Sequence, residues 1–570
     1  MANTMRGVYT NLTQIRRTVF TEVARIAYAG GVDVDGDGEV DADDYGWVDE
    51  LPYEIITGDV ATYRESVFLE RAIVGERIRL AMGLPLQDAD KPMKLSEGVA
   101  EAAKPEIYYE PPLINVIKFA CNACEDNVYR VSDACQGCLA HPCMEVCPKG
   151  AISFKNKKAF IDQEKCIKCG RCANTCPYGA IHHHVRPCAE ACGMHAIGSD
   201  EQGRAQIDYD KCVSCGQCLV NCPFGAIADK SQIFQVIQAI NEGDEVIAEV
   251  APAFVGQYGG RGNVDKLRQA FHELGFAGME EVALGADLCA VQEAQDFLDE
   301  VPDEIPFMGT SCCPAWSVMA KKEFPEQANC ISMALTPMVL TARLIRKQHP
   351  DAKIVFVGPC SAKKLEAQRK SVKSEVNFVL TFEEMACMMD AKDIDYTKLK
   401  GEGSKDFQSS SSDARMFAVA GGVANSVVDV LKRTNPELEP KVVNAEGLND
   451  CRTMMKMATK GKYNGYLLEG MACPGGCVAG PGTIQAINKS TGAVKAYSRK
   501  SQIKNPVDNE YTYLIPELER NAFGERERGE GAVAETLEAA GAHDAEAPFV
   551  PASVSPEIED EEGELEGSEE

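Results

Sequence analysis

The chain has 570 residues, 45% of them hydrophobic, and a net charge of −29, which calls for several domains of ordinary soluble composition. No run of about 18 uncharged apolar residues occurs, so no membrane span is expected. Residues 525–570 hold 16 acids against 2 Arg, leaving −15 on the other 524 residues. That moderately acidic body lacks the clustered Lys and Arg that binding to nucleic acid requires.

The opening stretch, "MANTMRGVYTNLTQIRRTVF", carries the pair Arg16–Arg17 but no apolar run after it. It does not read as an export signal, and a cytoplasmic chain is expected. The helical pattern "RRTVFTEVARIAYAGG" leads into "DVDGDGEVDADD", which fits the calcium-loop template. Asp33, Asp35 and Asp37 fall at positions 1, 3 and 5, with the Glu39 carbonyl at 7, Asp41 at 9 and Asp44 at 12. The exiting helix after it, "WVDELPYEI", is poor, so an acidic surface loop is the alternative to Ca2+.

Twenty-five cysteines in a reducing compartment point to metal rather than disulfides, and sixteen of them lie between 121 and 222. "CQGCLAHPCMEVCP" supplies Cys135, Cys138, Cys143 and Cys147; "CIKCGRCANTCP" supplies Cys166, Cys169, Cys172 and Cys176. Both match the bacterial ferredoxin run, in which three thiolates bind one 4Fe–4S cube and the fourth crosses to its partner. One cube then takes Cys135, Cys138, Cys143 and Cys176, the other Cys166, Cys169, Cys172 and Cys147. Zinc also accepts CxxC pairs, but two tandem runs with Cys-Pro endings favour cubes.

A third run, "CVSCGQCLVNCP", holds Cys212, Cys215, Cys218 and Cys222, yet upstream only "RPCAEACGMHAI" offers Cys188 and Cys192. Excising the unit between about 129 and 185 joins that stretch to "CNAC", Cys121 and Cys124, and completes the missing half. Cys192 would join Cys212, Cys215 and Cys218, while Cys222 would join Cys121, Cys124 and Cys188. Sixteen thiols make four 4Fe–4S clusters with none left over. The run His182–His184 reads as a polar connector rather than a metal site.

After 228 strands and helices alternate. Three motifs carry cysteines: "TSCCPAW" with Cys312 and Cys313, and, at the ends of strand-like segments, "GPCSAKK" with Cys360 and "EGMACPGGC" with Cys473 and Cys477. Open α/β sheets place ligands at strand carboxyl ends. Cys313, Cys360, Cys473 and Cys477 suit a fifth cube, and Cys312 is surplus; adjacent residues of an extended loop face opposite ways, so it can face a substrate. Cys289, Cys330, Cys387 and Cys451 match no motif and read as buried structural thiols.

Over about 115–515 these motifs resemble those of iron–iron (FeFe) hydrogenases. The resemblance implies an H-cluster: a 4Fe–4S cube bridged through Cys477 to a diiron subsite with CO, cyanide and azadithiolate. Cys313, Cys360 and Cys473 would be the other cube ligands. Cys312 would exchange protons with the azadithiolate amine, Lys363 would donate to a cyanide, and Met471, Pro252 and Phe417 would wall the pocket. Glu293, Asp296 and Ser332 match the family's proton relay, and Glu300 stands where the family has an arginine at the exit. Ala253, Ala315, Gly358 and Pro481 depart from the better-known members and resemble the group B branch.

The fold implied is multidomain, α/β and α+β: two nested bacterial-ferredoxin-like units followed by a two-lobed α/β catalytic domain. An N-terminal region at 1–110 precedes the iron–sulfur region at 111–227, in which 129–185 is inserted into the host unit 111–128 plus 186–227. The catalytic domain covers 228–518, and an acidic tail expected to be disordered covers 519–570. The implied activity is reversible formation of H2 with ferredoxin or a similar low-potential carrier as electron partner, after cofactor insertion by maturation proteins. A hydrogen sensor and a non-catalytic iron–sulfur assembly homologue are the alternatives.

Overall fold

The computed structural model describes residues 7–30, 45–88, 90–104, 111–259, 263–369, 372–401 and 410–518. The candidate calcium loop at 33–44 and the acidic tail at 519–570 lie outside the described residues. Among the described residues, no helix is long and apolar enough to cross a membrane.

The helix Asn11–Ala29 is started by Thr10, whose hydroxyl accepts the Thr13 N–H. It buries Val19, Phe20, Val23, Ala24 and Ala27 in the same core as the first catalytic sheet. Arg16 and Arg17 both reach the buried Glu383, at 2.6 and 3.1 Å, and pin this helix to the helix Phe382–Ala391. The helix Val67–Ala81 lies between two cores: Val74, Ile78 and Ala81 join that same core, while Ile73 and Leu80 enter the core of the iron–sulfur region and Arg77 donates to the Gly225 carbonyl. The N-terminal segment therefore straps two parts of the molecule together rather than standing alone.

Strand pairing in the iron–sulfur region is nested. β1 (Ile114–Val116) opens it, and β2 (Val128–Val131), β3 (Ile152–Lys155), β4 (Lys158–Ile161) and β5 (Ile181–His184) follow. Then come β6 (Ile197–Ser199), β7 (Ala205–Ile207) and β8 (Ile227–Asp229). β1 pairs antiparallel with β8, and inside that pair β2 closes on β5, with His184 opposite Val128. The inner segment has its own small core, including Ile152, Ala159, Ile161 and Ile181 around Cys143 and Cys172. The His182–His184 run is thus a strand of the connector; His183 stacks on Tyr129 at 4.5 Å and bonds Asn127.

The catalytic part is built on two parallel sheets. The first has the order β10 (Gly278–Glu281), β9 (Val246–Val250), β12 (Lys353–Gly358), β13 (Phe378–Thr381). The second has the order β11 (Met308–Gly309), β15 (Tyr466–Met471), β14 (Lys441–Glu446). Central strands covered on both faces read as continuous apolar runs, and all five residues of β9 are buried. The helix Ala283–Glu300 crosses the helix Pro337–Gln348 so closely that a Cβ on Gly285 would meet the Pro337 carbonyl at 2.2 Å. That close approach carries Glu293 and Asp296, further along the same helix, into the interior.

Candidate functional site

Strands of both sheets end at one cavity of about 90 Å³, whose lining includes Cys312, Cys313, Cys360, Cys473 and Cys477. Pro252 arrives from the end of β9, Met471 closes β15, and Phe417 and Lys363 complete the wall alongside them. Every pocket residue expected from the sequence therefore lines a single apolar chamber. Pro314 starts the helix Pro314–Glu323 immediately after the cysteine pair, and the buried Trp316 fixes this turn by donating to the Thr310 carbonyl at 3.1 Å. Gly476 must lack a side chain: its φ is 87°, and a Cβ there would lie 2.5 Å from the Ala420 nitrogen. Burial, then the neighbouring Cys313 thiol, push Cys360 up to about 11 and Cys477 up to about 12. Thiols crowded this way in a dry cavity need a cation to become thiolates.

Lys363 is the cation of the pocket wall, its Nζ bonded to Thr336 at 3.0 Å and paired with Glu366 at 2.5 Å. Burial pulls it down, but the Glu366 carboxylate more than offsets this and holds it above its ordinary value. Cys312 is raised well above the ordinary thiol value by burial and then by Glu293. The Glu293 Oε1 accepts from the Ser311 N–H at 2.7 Å and the Ser311 hydroxyl at 2.9 Å. Burial nevertheless raises Glu293 to about 7, where an acid can give and take protons at neutral pH. Asp296 is buried, accepts from Gln292 at 2.8 Å, and acts on Glu293 electrostatically. Ser332 is buried with its hydroxyl engaged locally, accepting the Ala334 N–H at 3.1 Å.

The opening thiols also find company. Cys121, Cys124, Cys188 and Cys222 line one small cleft beside Arg186. Cys188 is raised to about 12 by burial and then by Cys222. Cys218 is raised by burial and by Cys215, Cys212 and Cys192. In the inner unit Cys143 is raised by burial and by Cys138 and Cys176, and Cys172 by burial and by Cys166 and Cys147. Cys218 is also raised by Cys188, which the spacing assigns to the neighbouring group. Backbone shape repeats as well: the third residue of the first CxxC in each of the four groups has positive φ, namely Ala123 (45°), Gly137 (58°), Lys168 (58°) and Ser214 (51°). "CNAC" is bent like the other three pairs although Ala is a poor residue for that conformation.

Residues 244–481 match the family described as "Iron only hydrogenase large subunit, C-terminal domain", and 159–182 and 204–227 match 4Fe–4S binding domain families. The segment 244–481 is an iron-only hydrogenase large-subunit domain. Iron hydrogenase 1 of Clostridium pasteurianum is 29% identical over 442 residues, covering 68% of this chain and 76% of its own. The periplasmic Fe hydrogenase large subunit of Nitratidesulfovibrio vulgaris is 28% identical, covering 60% of this chain and 91% of its own. The cytosolic Fe–S cluster assembly factor NAR1 of Kluyveromyces lactis is 28% identical over 172 residues, 29% of this chain and 36% of its own.

The donor set fits the six-iron group of a hydrogenase. Six thiols, Cys215 among them, and one cation line an apolar cavity, and the buried Glu293 Oε2 has no hydrogen-bond partner among the described residues. Two features escaped sequence reasoning. Gln217, between two cysteines of the third run, donates to the Cys473 thiol at 3.1 Å, and Cys215 itself lines the catalytic cavity. No residue pattern signals that contact. The buried Glu469 was legible in principle, as a lone acid within the apolar run "YLLEGM". The unmatched Cys289, Cys330, Cys387 and Cys451 are all buried.

The Glu293 environment predicts a pH signature. Its carboxyl stands at about 7 against an ordinary 4.5, so the folded chain keeps a proton that the unfolded chain releases between those values. The stability this contributes is complete below pH 4.5 and is lost as pH rises through 7. Glu293→Gln should therefore show a shallower fall in stability across that window than the parent, read as denaturation midpoints. Parallel curves for the two proteins would place the Glu293 carboxyl at its ordinary value.

Proposed function

We propose that this chain catalyses reversible formation of H2 from two protons and two electrons at an H-cluster held by Cys313, Cys360, Cys473 and Cys477. The observation that carries the reading is the convergence of those thiols with Cys312 and Lys363 on one closed apolar pocket. When bound, the six-iron group supplies the electron-poor metal at which hydrogen is made or split. The protein's share is to exclude water, hold the group's anionic ligands toward Lys363, and move protons through the Cys312 thiol to Glu293. Electrons would reach the pocket through four 4Fe–4S clusters, the nearest being that of Cys192, Cys212, Cys215 and Cys218. The contact of Gln217 with Cys473 supports that order. A low-potential carrier such as ferredoxin, a cytoplasmic setting, dependence on maturation proteins and placement in the group B branch complete the proposal. The likeness to NAR1 favours an assembly role as the second reading; the pairing of Cys312 with a buried, near-neutral Glu293 speaks for proton chemistry instead. Infrared bands of bound CO and cyanide separate the two.

Cys312→Ala should retain those infrared bands and lose most H2 evolution, because it removes the proton carrier but no cube ligand. Cys312→Asp should recover more activity than Ala. Turnover of a fully loaded Cys312→Ala near that of the parent would remove Cys312 from the relay.

The holoprotein should contain about 22 irons, four cubes plus the six-iron cofactor. Cys121→Ser and Cys222→Ser, 101 positions apart, should each weaken the same cluster signal and leave those of the inner unit intact. If Cys222→Ser removes a signal that Cys121→Ser leaves untouched, "CNAC" is not the fourth half.

The acidic loop at 33–44 remains a proposed Ca2+ site. Calcium should then raise the melting temperature relative to chelator, by mass action on the folded state. Equal melting temperatures would reduce the segment to an acidic loop.

A further inference from the structure

The relay drawn along the helix Ala283–Glu300 leaves two acids of the second sheet without a task. Glu469 lies on β15, 1% exposed, two residues before the pocket-lining Met471 and on the same strand face. Its two carboxylate oxygens accept the N–H groups of Gly421 and Ala424, each at 2.7 Å, at the start of the helix Gly422–Thr434. Parallel register sets Glu469 beside Asn444 and Met471 beside Glu446 on β14. Glu446 therefore shares a sheet face with Glu469, one strand over and two residues along. β14 is the edge of its sheet, and Glu446 is exposed there while its Oε2 accepts the Gly475 N–H at 2.7 Å. At the inner end, Thr310, two residues before Cys312, donates its N–H to the Leu468 carbonyl at 2.9 Å, next to Glu469, and Glu469 acts on Cys312 more weakly than Glu293 does; at the outer end, Glu469 is acted on by Glu446.

We propose that Glu469 and Glu446 form a second proton path, running from Cys312 across the three-stranded sheet to solvent at the β14 edge. It rests on the hydrogen reading above and adds a route to it. Two opposed forces suit Glu469 to the task. Burial favours its neutral acid, and two backbone N–H groups at a helix start favour its anion. Neither form is held strongly, and the carboxyl stands at about 7. In the direction of H2 formation, a solvent acid protonates Glu446 and leaves its conjugate base outside. The proton passes to the Glu469 carboxylate, through a bridging water where the oxygens do not touch. Glu469 then protonates the Cys312 thiolate and is again a carboxylate. Each hop moves one proton and no electrons, and both acids end as they began. The route also avoids Glu300, where the family's exit arginine is missing.

The test compares Glu446→Gln and Glu469→Gln in loaded enzyme and in chain lacking the cofactor. In loaded enzyme with unchanged CO and cyanide bands, Glu446→Gln should lower H2 evolution at least threefold, and small weak acids in the buffer should restore part of it. Because Glu446 is exposed and glutamine can still accept the Gly475 N–H, this variant tests the path even if Glu469→Gln folds poorly. In cofactor-free chain near neutral pH, the protonated-carboxyl infrared stretch should lose one component in Glu469→Gln. Turnover of Glu446→Gln within twofold of the parent, with Glu293→Gln strongly impaired, would overturn the second path and leave the helix Ala283–Glu300 as the route. An inactive loaded parent would refute the hydrogen reading instead, and the infrared comparison would still report whether Glu469 holds a proton.

Discussion

Thiols from separate loops can share one metal group only if the backbone delivers them to a common point, and here that point is the carboxyl end of two parallel sheets. The loops after β11, β12 and β15 carry the cysteines, and the end of β9 brings Pro252 to the same place. Parallel strands place all their carboxyl ends on one side, so a single architectural choice gathers Cys312, Cys313, Cys360, Cys473 and Cys477. The tight details serve this gathering. Gly470 lets the Trp316 ring lie against β15, and Gly480 lets its loop press on Pro359, beside Cys360. Side chains at either position would push a cysteine loop out of place.

The same constraint orders the iron–sulfur region relative to the pocket. Gly216, between Cys215 and Cys218, packs so closely that a Cβ would meet Pro481 at 2.7 Å and Ser361 at 3.0 Å. Gly193, beside Cys192, would likewise strike Leu448 at 2.5 Å, and Arg452 donates to its carbonyl at 2.6 Å. The host unit is thus locked against both catalytic lobes through the loops that carry its inner thiols. Its outer thiols, and the whole inner unit, lie farther from these contacts.

How much of this was written in the residues depends on the range of the interaction. The proposed thiol groupings come from fixed local spacings that a cube imposes, and "CNAC" enters them because the arithmetic of sixteen cysteines leaves a half open. The pocket walls were legible through motif resemblance. Glu469 stands out only as a lone acid in an apolar run; its partners, Gly421 and Ala424, come from another element, and its alignment with Glu446 exists only once β14 and β15 are in register. Arg16 and Arg17 were hidden in the same way. With no apolar run after them they do not read as an export signal, and nothing in the pattern shows that the fold uses them to hold Glu383. An amphipathic helix announces that it will pack but not on what, so the attachment of Asn11–Ala29 to the catalytic core stayed hidden.

The pairing of β2 with β5 has a consequence for the host unit's conformational entropy. A flexible excursion of nearly sixty residues would separate Cys124 from Cys188 and tax the closure of their shared cavity, though only logarithmically with length. Zipping Val128 to His184 brings the two ends of the excursion together at its base. The host chain then experiences something close to a tight hairpin, whatever is built beyond it. Cargo of another size could hang from the same two strands without changing the distance the host must close.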